Sequence, residues 1–287
     1  MKIQDVDLSA YIEINDLDII QKELYKLFKA FHDICEKHGM TYNMYGGTLL
    51  GAVRHQGIIP WDDDIDVSMP REDYEKFAVL IQEEYSDKFI AYVYPKKDYV
   101  YPYMKFGDKK SILLEPLRNK YNKLSLYIDI FPIDGCSDKG NIRSRSFEKL
   151  RTLKHRRNIC IEPINKSRYA VMNGLKFIRY LFLRSVGYRY FLKKEIRISK
   201  SYDFQYSNYV CCMASSWFEK GILEKEKYTD RVLYKFGDYE FWGMRDYDEH
   251  LTNLYGNYMQ PPAVKDRVSN HNYHLFFERK KWENNNE

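Results

Sequence analysis

Between Gly46 and Val67 the chain reads GGTLLGAVRHQGIIPWDDDIDV, with aspartate at four of the five positions from 62 to 66. Aspartate is depleted from ordinary strands, yet DIDVSM alternates as a strand does. With that period Asp64 and Asp66 face one way, about 7 Å apart, and Ile65 and Val67 pack behind them. Two carboxylates so placed repel unless a cation lies between them, and their hard oxygens suit Mg²⁺ or Mn²⁺. The competing reading is a solvated acidic turn or a loose Ca²⁺ loop. An EF-hand is excluded, because its glycine and closing Glu are absent from the required positions.

Upstream, TYNMYGG reads as a short strand ending in a glycine pair, and TLLGAVRH as a short helix leaving it. Glycines there let backbone N–H groups approach a phosphate, and the helix start adds partial positive charge. Gly46, Gly47 and Thr48 are therefore a candidate phosphate cradle. A glycine pair alone is only a turn; the carboxylate pair on the next strand gives it meaning. Arg54 and His55 lie between the two elements, either as phosphate contacts or as surface side chains. A two-carboxylate metal site for phosphoryl transfer calls for a third ligand from a neighbouring strand. Asp129, an acid inside the apolar LYIDIFPID, is the candidate, beside Asp64 and Asp66. Burying an unpaired carboxylate is expensive, so a purely structural Asp129 requires a partner. Asp134, after Pro132, reads as a turn residue.

The remaining pattern is mixed. Leu17, Ile20, Leu24, Leu27, Phe28, Phe31 and Ile34 recur at helical spacing, with Asp16 as cap and Gly39 as stop. PREDYEKFAVLIQEEY is an amphipathic helix with Pro in its first turn. KFIAYVYP, YMKFGD, SILLE and LSLYIDIFPID read as strands, and so do RVLYKF and YEFWGM; DYDEHLTNLY reads as a helix. Pro261-Pro262 breaks the chain, and the final NNNE is frayed. The fold class is α+β. Residues 1–140 form a catalytic core, 141–205 a basic helical segment, and 206–287 complete the catalytic unit.

Composition narrows the class further. With 44% apolar and 30% charged residues, the chain can bury a core and is not disordered. No run approaches the ~18 apolar residues of a membrane span, and the acidic amino terminus is unlike a signal peptide. Five Cys, an odd number without a CxxC, argue against a disulfide framework or a Cys-rich zinc site. Adjacent Cys211 and Cys212 read as buried thiols, and the chain as cytoplasmic. The charge is uneven: residues 141–200 carry 17 Lys/Arg against three acids, a net +14, which leaves −9 on the rest. Such a block seeks phosphate, in nucleic acid, anionic lipid or substrate. Treated as one helix, 168–200 gathers Arg168, Lys176, Arg179, Arg189, Lys193, Lys194, Arg197 and Lys200 into an arc of about 140°. Phe177, Tyr180, Leu181, Tyr188, Phe191 and Leu192 lie opposite. That face is either a solvated surface or a contact with anionic lipid.

The blocks GGTLLGAVRH, PWDDDID and IDIFP, followed by YDEHL, YGNYM and Pro261-Pro262, resemble the LicD family in the same order, from about Thr41 to Pro262. Fukutin and the fukutin-related protein are similar more distantly. The resemblance implies a polymerase-beta-like nucleotidyltransferase core and Mg²⁺-dependent transfer of a phospho-alcohol from a CDP-activated donor to a sugar hydroxyl. Bacterial members attach phosphocholine to cell-surface glycans. Asp64 and Asp66 match the family's metal-binding pair, and Asp129 its proposed third carboxylate. The zinc-binding cysteines of the animal relatives have no counterpart here, and the basic segment maps onto no family motif.

The expected reaction is in-line displacement at the phosphate bearing the alcohol, with CMP leaving and no nucleic acid involved. Asp129 also has the place of acceptor-proton base. Choline requires an aromatic cage, for which Trp61 is the first candidate, with a core tryptophan as the alternative. Glycerol- and ribitol-phosphate donors remain open. So do nucleotidyl transfer from an NTP and a non-catalytic basic module that binds lipid or RNA. The glycan acceptor, free or on a lipid carrier, would place the enzyme at the inner face of the plasma membrane.

Overall fold

The computed structural model describes residues 7–117, 120–162, 174–269 and 272–279. Lys166, Arg168 and residues 284–287 lie outside them, as does the side chain of Lys176. A short strand, β1 (Tyr11–Ile14), which the sequence reading leaves unassigned, precedes α1 (Leu17–Lys37). Asp16 caps α1 as expected: its Oδ1 accepts the N–H groups of Asp18 at 2.9 Å and Ile19 at 3.3 Å. The predicted apolar stripe, Leu24 to Ile34, is buried, and Phe28 stacks on Phe241 at 3.8 Å between ring centroids.

The chain continues through β2 (Asn43–Met44), α2 (Gly46–His55), β3 (Asp66–Pro70), α3 (Arg71–Glu84), β4 (Phe89–Tyr92), β5 (Met104–Asp108), β6 (Ser111–Leu117), β7 (Lys120–Leu124) and β8 (Tyr127–Cys136). The ten-residue β8 organises the main sheet. It runs parallel to β3, with Asp66 opposite Asp129, and antiparallel to β5, with Lys105 opposite the same Asp129. β2 extends the sheet beyond β3, and β4 beyond β5. The strand expected from Asp64 begins at Asp66, where pairing with Asp129 starts.

After α4 (Gly140–Ile161), α5 (Gly174–Val186) and α6 (Tyr188–Ser199), the chain returns to the main sheet. β9 (Tyr209–Cys211) pairs with the end of β8, and β10 (Leu223–Glu224) with β9. Then follow α7 (Lys225–Thr229), the hairpin of β11 (Arg231–Phe236) and β12 (Tyr239–Met244), α8 (Tyr247–Tyr255) and β13 (His274–Glu278). A second antiparallel sheet runs β1-β13-β6-β7. The architecture is α+β, as expected.

Two expectations are corrected. The stretch 168–200 is not one continuous helix: Gly187, at φ +81°, separates α5 from α6. A non-glycine residue rarely adopts that conformation. The arc drawn for a single helix therefore does not apply. Phe191 and Leu192 are buried, but Phe177 and Leu181 are 41% and 50% exposed. Nor is Asp134 a turn residue. It lies within β8, 1% exposed, where Arg71 grips it with two hydrogen bonds of 2.7 and 2.6 Å. Within the basic segment, Arg157 of α4 and Glu195 of α6 form a second buried ion pair at 2.9 Å. No helix among the described residues is long and apolar enough to cross a membrane.

α8 carries a buried histidine, His250, whose ring nitrogens have no hydrogen-bond partner among the described residues. Burial pushes its pKa down to about 4. The unfolded chain takes up a proton near pH 6.5 and the folded one only near pH 4. Stability therefore falls with pH across that window and levels off below it. Between pH 7 and pH 5 this one residue removes about 2 kcal/mol. Urea unfolding at both pH values should show a smaller decline for His250→Phe than for the wild type, by about that amount.

Candidate active site

The acidic site is assembled where α2 leaves β2 and β3 enters the sheet. The Tyr45 N–H donates to the Asp66 carbonyl at 3.0 Å, and the Asp66 N–H donates to Thr48 Oγ1 at 2.8 Å. The start of α2 is thereby fastened to the start of β3. Gly46, at φ +53°, brings the backbone close to the acids. A Cβ there would lie 3.5 Å from both Asp66 Oδ2 and Tyr255 Oη, and one on Gly47 would lie 3.2 Å from Asp62 Oδ2. The glycine pair thus gives the carboxylates the room that side chains would fill.

Asp66 and Asp129 sit side by side across the parallel ladder, and Lys105 flanks Asp129 on its other side. The Lys105 ammonium, 2% exposed, donates to both Asp129 oxygens, at 2.8 and 3.1 Å. It also lies over the ring of Tyr127 at 3.5 Å and that of Tyr101 at 4.7 Å. Burial disfavours the charged lysine, but Asp129, together with Tyr103 and Glu115, outweighs it and the Lys105 pKa is raised. Burial pushes Asp129 up to about 6, against the pull of Lys105. Asp66 is raised well above the ordinary carboxylate range by burial, then by Asp64, Asp129 and Asp62. Negative charge is in excess here. Even so, no three His, Cys, Asp or Glu side chains among the described residues are grouped as a metal-ion cluster.

The structure thus brings Gly46, Gly47, Thr48, Asp64, Asp66 and Asp129 into one locality. Thr48 contributes a strand anchor, and its own N–H donates to the Tyr45 carbonyl at 3.1 Å. Arg54 and His55 lie in the last turn of α2, about 12 Å from Gly46 by helix rise. They bond to each other at 2.9 Å, and Arg54 donates to the Tyr258 carbonyl at 2.6 Å. Trp61 joins this second cluster, edge-on to His55 and with Arg267 over its ring at 5.1 Å. Burial lowers the pKa of both Arg54 and His55, helped by neighbouring positive charge.

Sequence reasoning missed Lys105, Asp62 as a close neighbour of the glycines, and Tyr255. The signal for Lys105 was a lone cation between Met104 and Phe106 in an apolar strand, which also reads as a solvent-facing position.

Residues 39–172 match the family model described as LicD/FKTN/FKRP, nucleotidyltransferase domain. The lipopolysaccharide cholinephosphotransferase LicD of Haemophilus influenzae is 31% identical over 257 residues, which cover 84% of this chain and 90% of that protein. The chain belongs to the LicD family. An uncharacterized protein of Rickettsia typhi is 47% identical over 60 residues, 21% of this chain and 19% of that one. The human ribitol 5-phosphate transferase FKRP is 50% identical over 40 residues, 14% of this chain and 8% of its own.

The buried lysine gives this LicD-family chain a test of its charge balance. Removing one partner of a buried ion pair costs about 3–5 kcal/mol, because the other charge is left uncompensated. Lys105→Met should lower the urea-unfolding free energy by that amount. The double variant Lys105→Met/Asp129→Asn should recover part of the loss, giving a coupling of at least about 1 kcal/mol in the cycle.

Proposed function

We propose that this protein transfers a phospho-alcohol, phosphocholine first among them, from a CDP-activated donor to a sugar hydroxyl of a cell-surface glycan or its lipid-linked precursor. The observation that carries the reading is the row of Asp66 and Asp129 across the β3–β8 ladder, with Asp62 and Asp66 against the glycine start of α2. Membership of a family that includes a cholinephosphotransferase supports the substrate class. In this reading the β2–α2–β3–β8 unit is a polymerase-beta-like nucleotidyltransferase core.

Asp64, Asp129 and Asp62 raise the pKa of Asp66 and offer hard oxygens of the kind a divalent cation takes, although the described residues are not already grouped as a metal cluster. Asp64 and Asp66 would hold Mg²⁺ or Mn²⁺, with Asp129 as the third carboxylate. When bound, the ion neutralises charge on the pyrophosphate. Gly46 and Gly47, in a first helical turn whose N–H groups lack intrahelical partners, bind the diphosphate. The acceptor oxygen forms a bond to the phosphorus that bears the alcohol, the bond from that phosphorus to CMP breaks, and Asp129 takes the hydroxyl proton. Lys105 fixes the Asp129 carboxylate through both oxygens.

Asp64→Asn and Asp66→Asn should each lower turnover at least about a hundredfold in folded protein, since a metal's charge stabilisation is worth several kcal/mol. Near-normal turnover of either variant at saturating Mg²⁺ would refute the assignment. The donor is identified by thermal stabilisation with CDP-choline, CDP-glycerol, CDP-ribitol, CTP and ATP, each with Mg²⁺. CMP as product supports the reading, and pyrophosphate would replace it with nucleotidyl transfer. The short match to a ribitol 5-phosphate transferase makes CDP-ribitol the second donor to try.

We also infer that the enzyme works on the cytoplasmic side, in peripheral contact with anionic membrane. Ile178, Leu181 and Phe182 of α5 are at least half exposed, and Arg189, Lys193, Lys194 and Arg197 lie on the exposed side of α6. Co-sedimentation with anionic vesicles, released by about 0.5 M salt, is the expected result. Absence of binding would leave these helices as scaffold.

A further inference from the structure

The basic segment, which matches no motif of the sequence reading, forms one wall of a cavity of about 490 Å³. Tyr101, Tyr103 and Phe131 line it together with Lys154 and Asn158 of α4 and Trp217. Phe131 follows Asp129 by two residues on β8, so it shares the face of Asp129, about 7 Å further along. Its ring packs on that of Tyr103 at 4.5 Å, and the rings of Tyr101 and Tyr103 border Lys105 at 4.7 and 5.5 Å. Trp217 meets Tyr255 edge-on at 5.4 Å, and Tyr255 Oη reaches the Gly46 position that Asp66 also borders.

Lys154 decides what the cavity can take. It is half-buried, it donates to Ser216 Oγ, and among the described residues it forms no ion pair with a carboxylate. Burial and the nearby Arg157 both work against its charge. Glu162, an acid that also lines the cavity, is exposed. A half-dehydrated ammonium seeks an anion and repels a quaternary ammonium, so this cavity is unsuited to choline despite its rings. Arg157 also lines the cavity but is taken up by Glu195, and aromatic walls with the one remaining cation, Lys154, suit a flat base that stacks and carries a phosphate.

We propose that this cavity binds the nucleotide half of the donor, with the base against the aromatic walls and the phosphate on Lys154. The inference rests on the proposed transfer reaction and assigns the leaving group's subsite within it. Asn158 stands in the lining as a hydrogen-bonding group for the base edge, while the Ser215 hydroxyl is engaged with the Cys212 carbonyl and the Trp217 N–H. The α4 helix then recognises substrate, and the α4–α6 packing through Arg157 and Glu195 holds that wall in place.

The test is calorimetric titration of the full chain with CMP and, separately, with phosphocholine. Lys154→Gln and Trp217→Leu should each weaken CMP at least about tenfold and leave phosphocholine unchanged, and Lys154→Arg should retain most of the affinity. Thermal melting of each variant confirms that it is folded. Unchanged CMP affinity in folded Lys154→Gln and Trp217→Leu would overturn the cavity assignment while the transfer reaction stands. Loss of phosphocholine with CMP retained would overturn it too, by giving the cavity to the alcohol. A wild-type chain that binds ATP but neither CMP nor phosphocholine would overturn both this inference and the function it rests on.

Discussion

The buried pair of Lys105 and Asp129 sets the conditions under which the rest of the acidic site can exist. Strand pairing places Asp66, Asp129 and Lys105 in one row across three neighbouring strands. Two carboxylates side by side in a sheet would repel and lose hydration together. Lys105 neutralises one of them from inside the protein, and the aromatic rings around its ammonium stabilise the cation where water does not reach. The balance is incomplete by design of the row: one cation faces Asp129 while Asp62, Asp64 and Asp66 gather at the other end. An excess of negative charge on a rigid strand start is chemistry that suits a divalent cation.

The same logic recurs at two places outside the acidic site. Arg71 satisfies Asp134 through both oxygens at the far end of β3 and β8, and Arg157 joins Glu195 between α4 and α6. Each buried acid is closed by one guanidinium, whose planar fork suits a carboxylate. Lysine at position 105 offers a compact charge that fits between Asp129 and the ring of Tyr127. The Arg157 pairing explains why Glu195, one of three acids in a strongly basic segment, is not on the surface with its neighbours.

Much of this was legible in the residue pattern, and the failures have physical causes. The α1 stripe, the amphipathic α3, the strands β3, β4, β5, β6 and β8 and the β11–β12 hairpin follow from periodicity, whereas β7 and β13 were not read as strands. β1, β2, β9 and β10 run for four residues or fewer, too short for alternation to register; β2 was caught only because a glycine pair follows it. The helix break at Gly187 was underestimated, because a glycine's propensity cost is small beside the positive φ that the turn demands. The site divides in the same way. Asp64, Asp66, Asp129 and the glycines announced themselves as unusual residues for their elements. Lys105 and the Asp134–Arg71 pair did not, because a partner at a distance of 24 or 63 residues is fixed by strand register, which one sequence does not display.

Register also explains how chemistry and recognition can share one sheet face without interfering. Side chains two apart on β8 point the same way, so Asp129 and Phe131 are consecutive on that face. The charged row needs fixed partners, since any shift by one residue would turn the carboxylates into the core. The aromatic row has no such constraint: Tyr103, Phe131, Tyr101 and Trp217 come from three separate stretches of chain and meet as surfaces. Replacing the Phe131 or Trp217 ring leaves the register untouched, whereas Tyr101 and Tyr103 also border the Lys105 ammonium. The walls beside the acids can therefore vary without moving the strands, and α4 is placed to supply such a wall because it is anchored to α6 through Arg157 and Glu195.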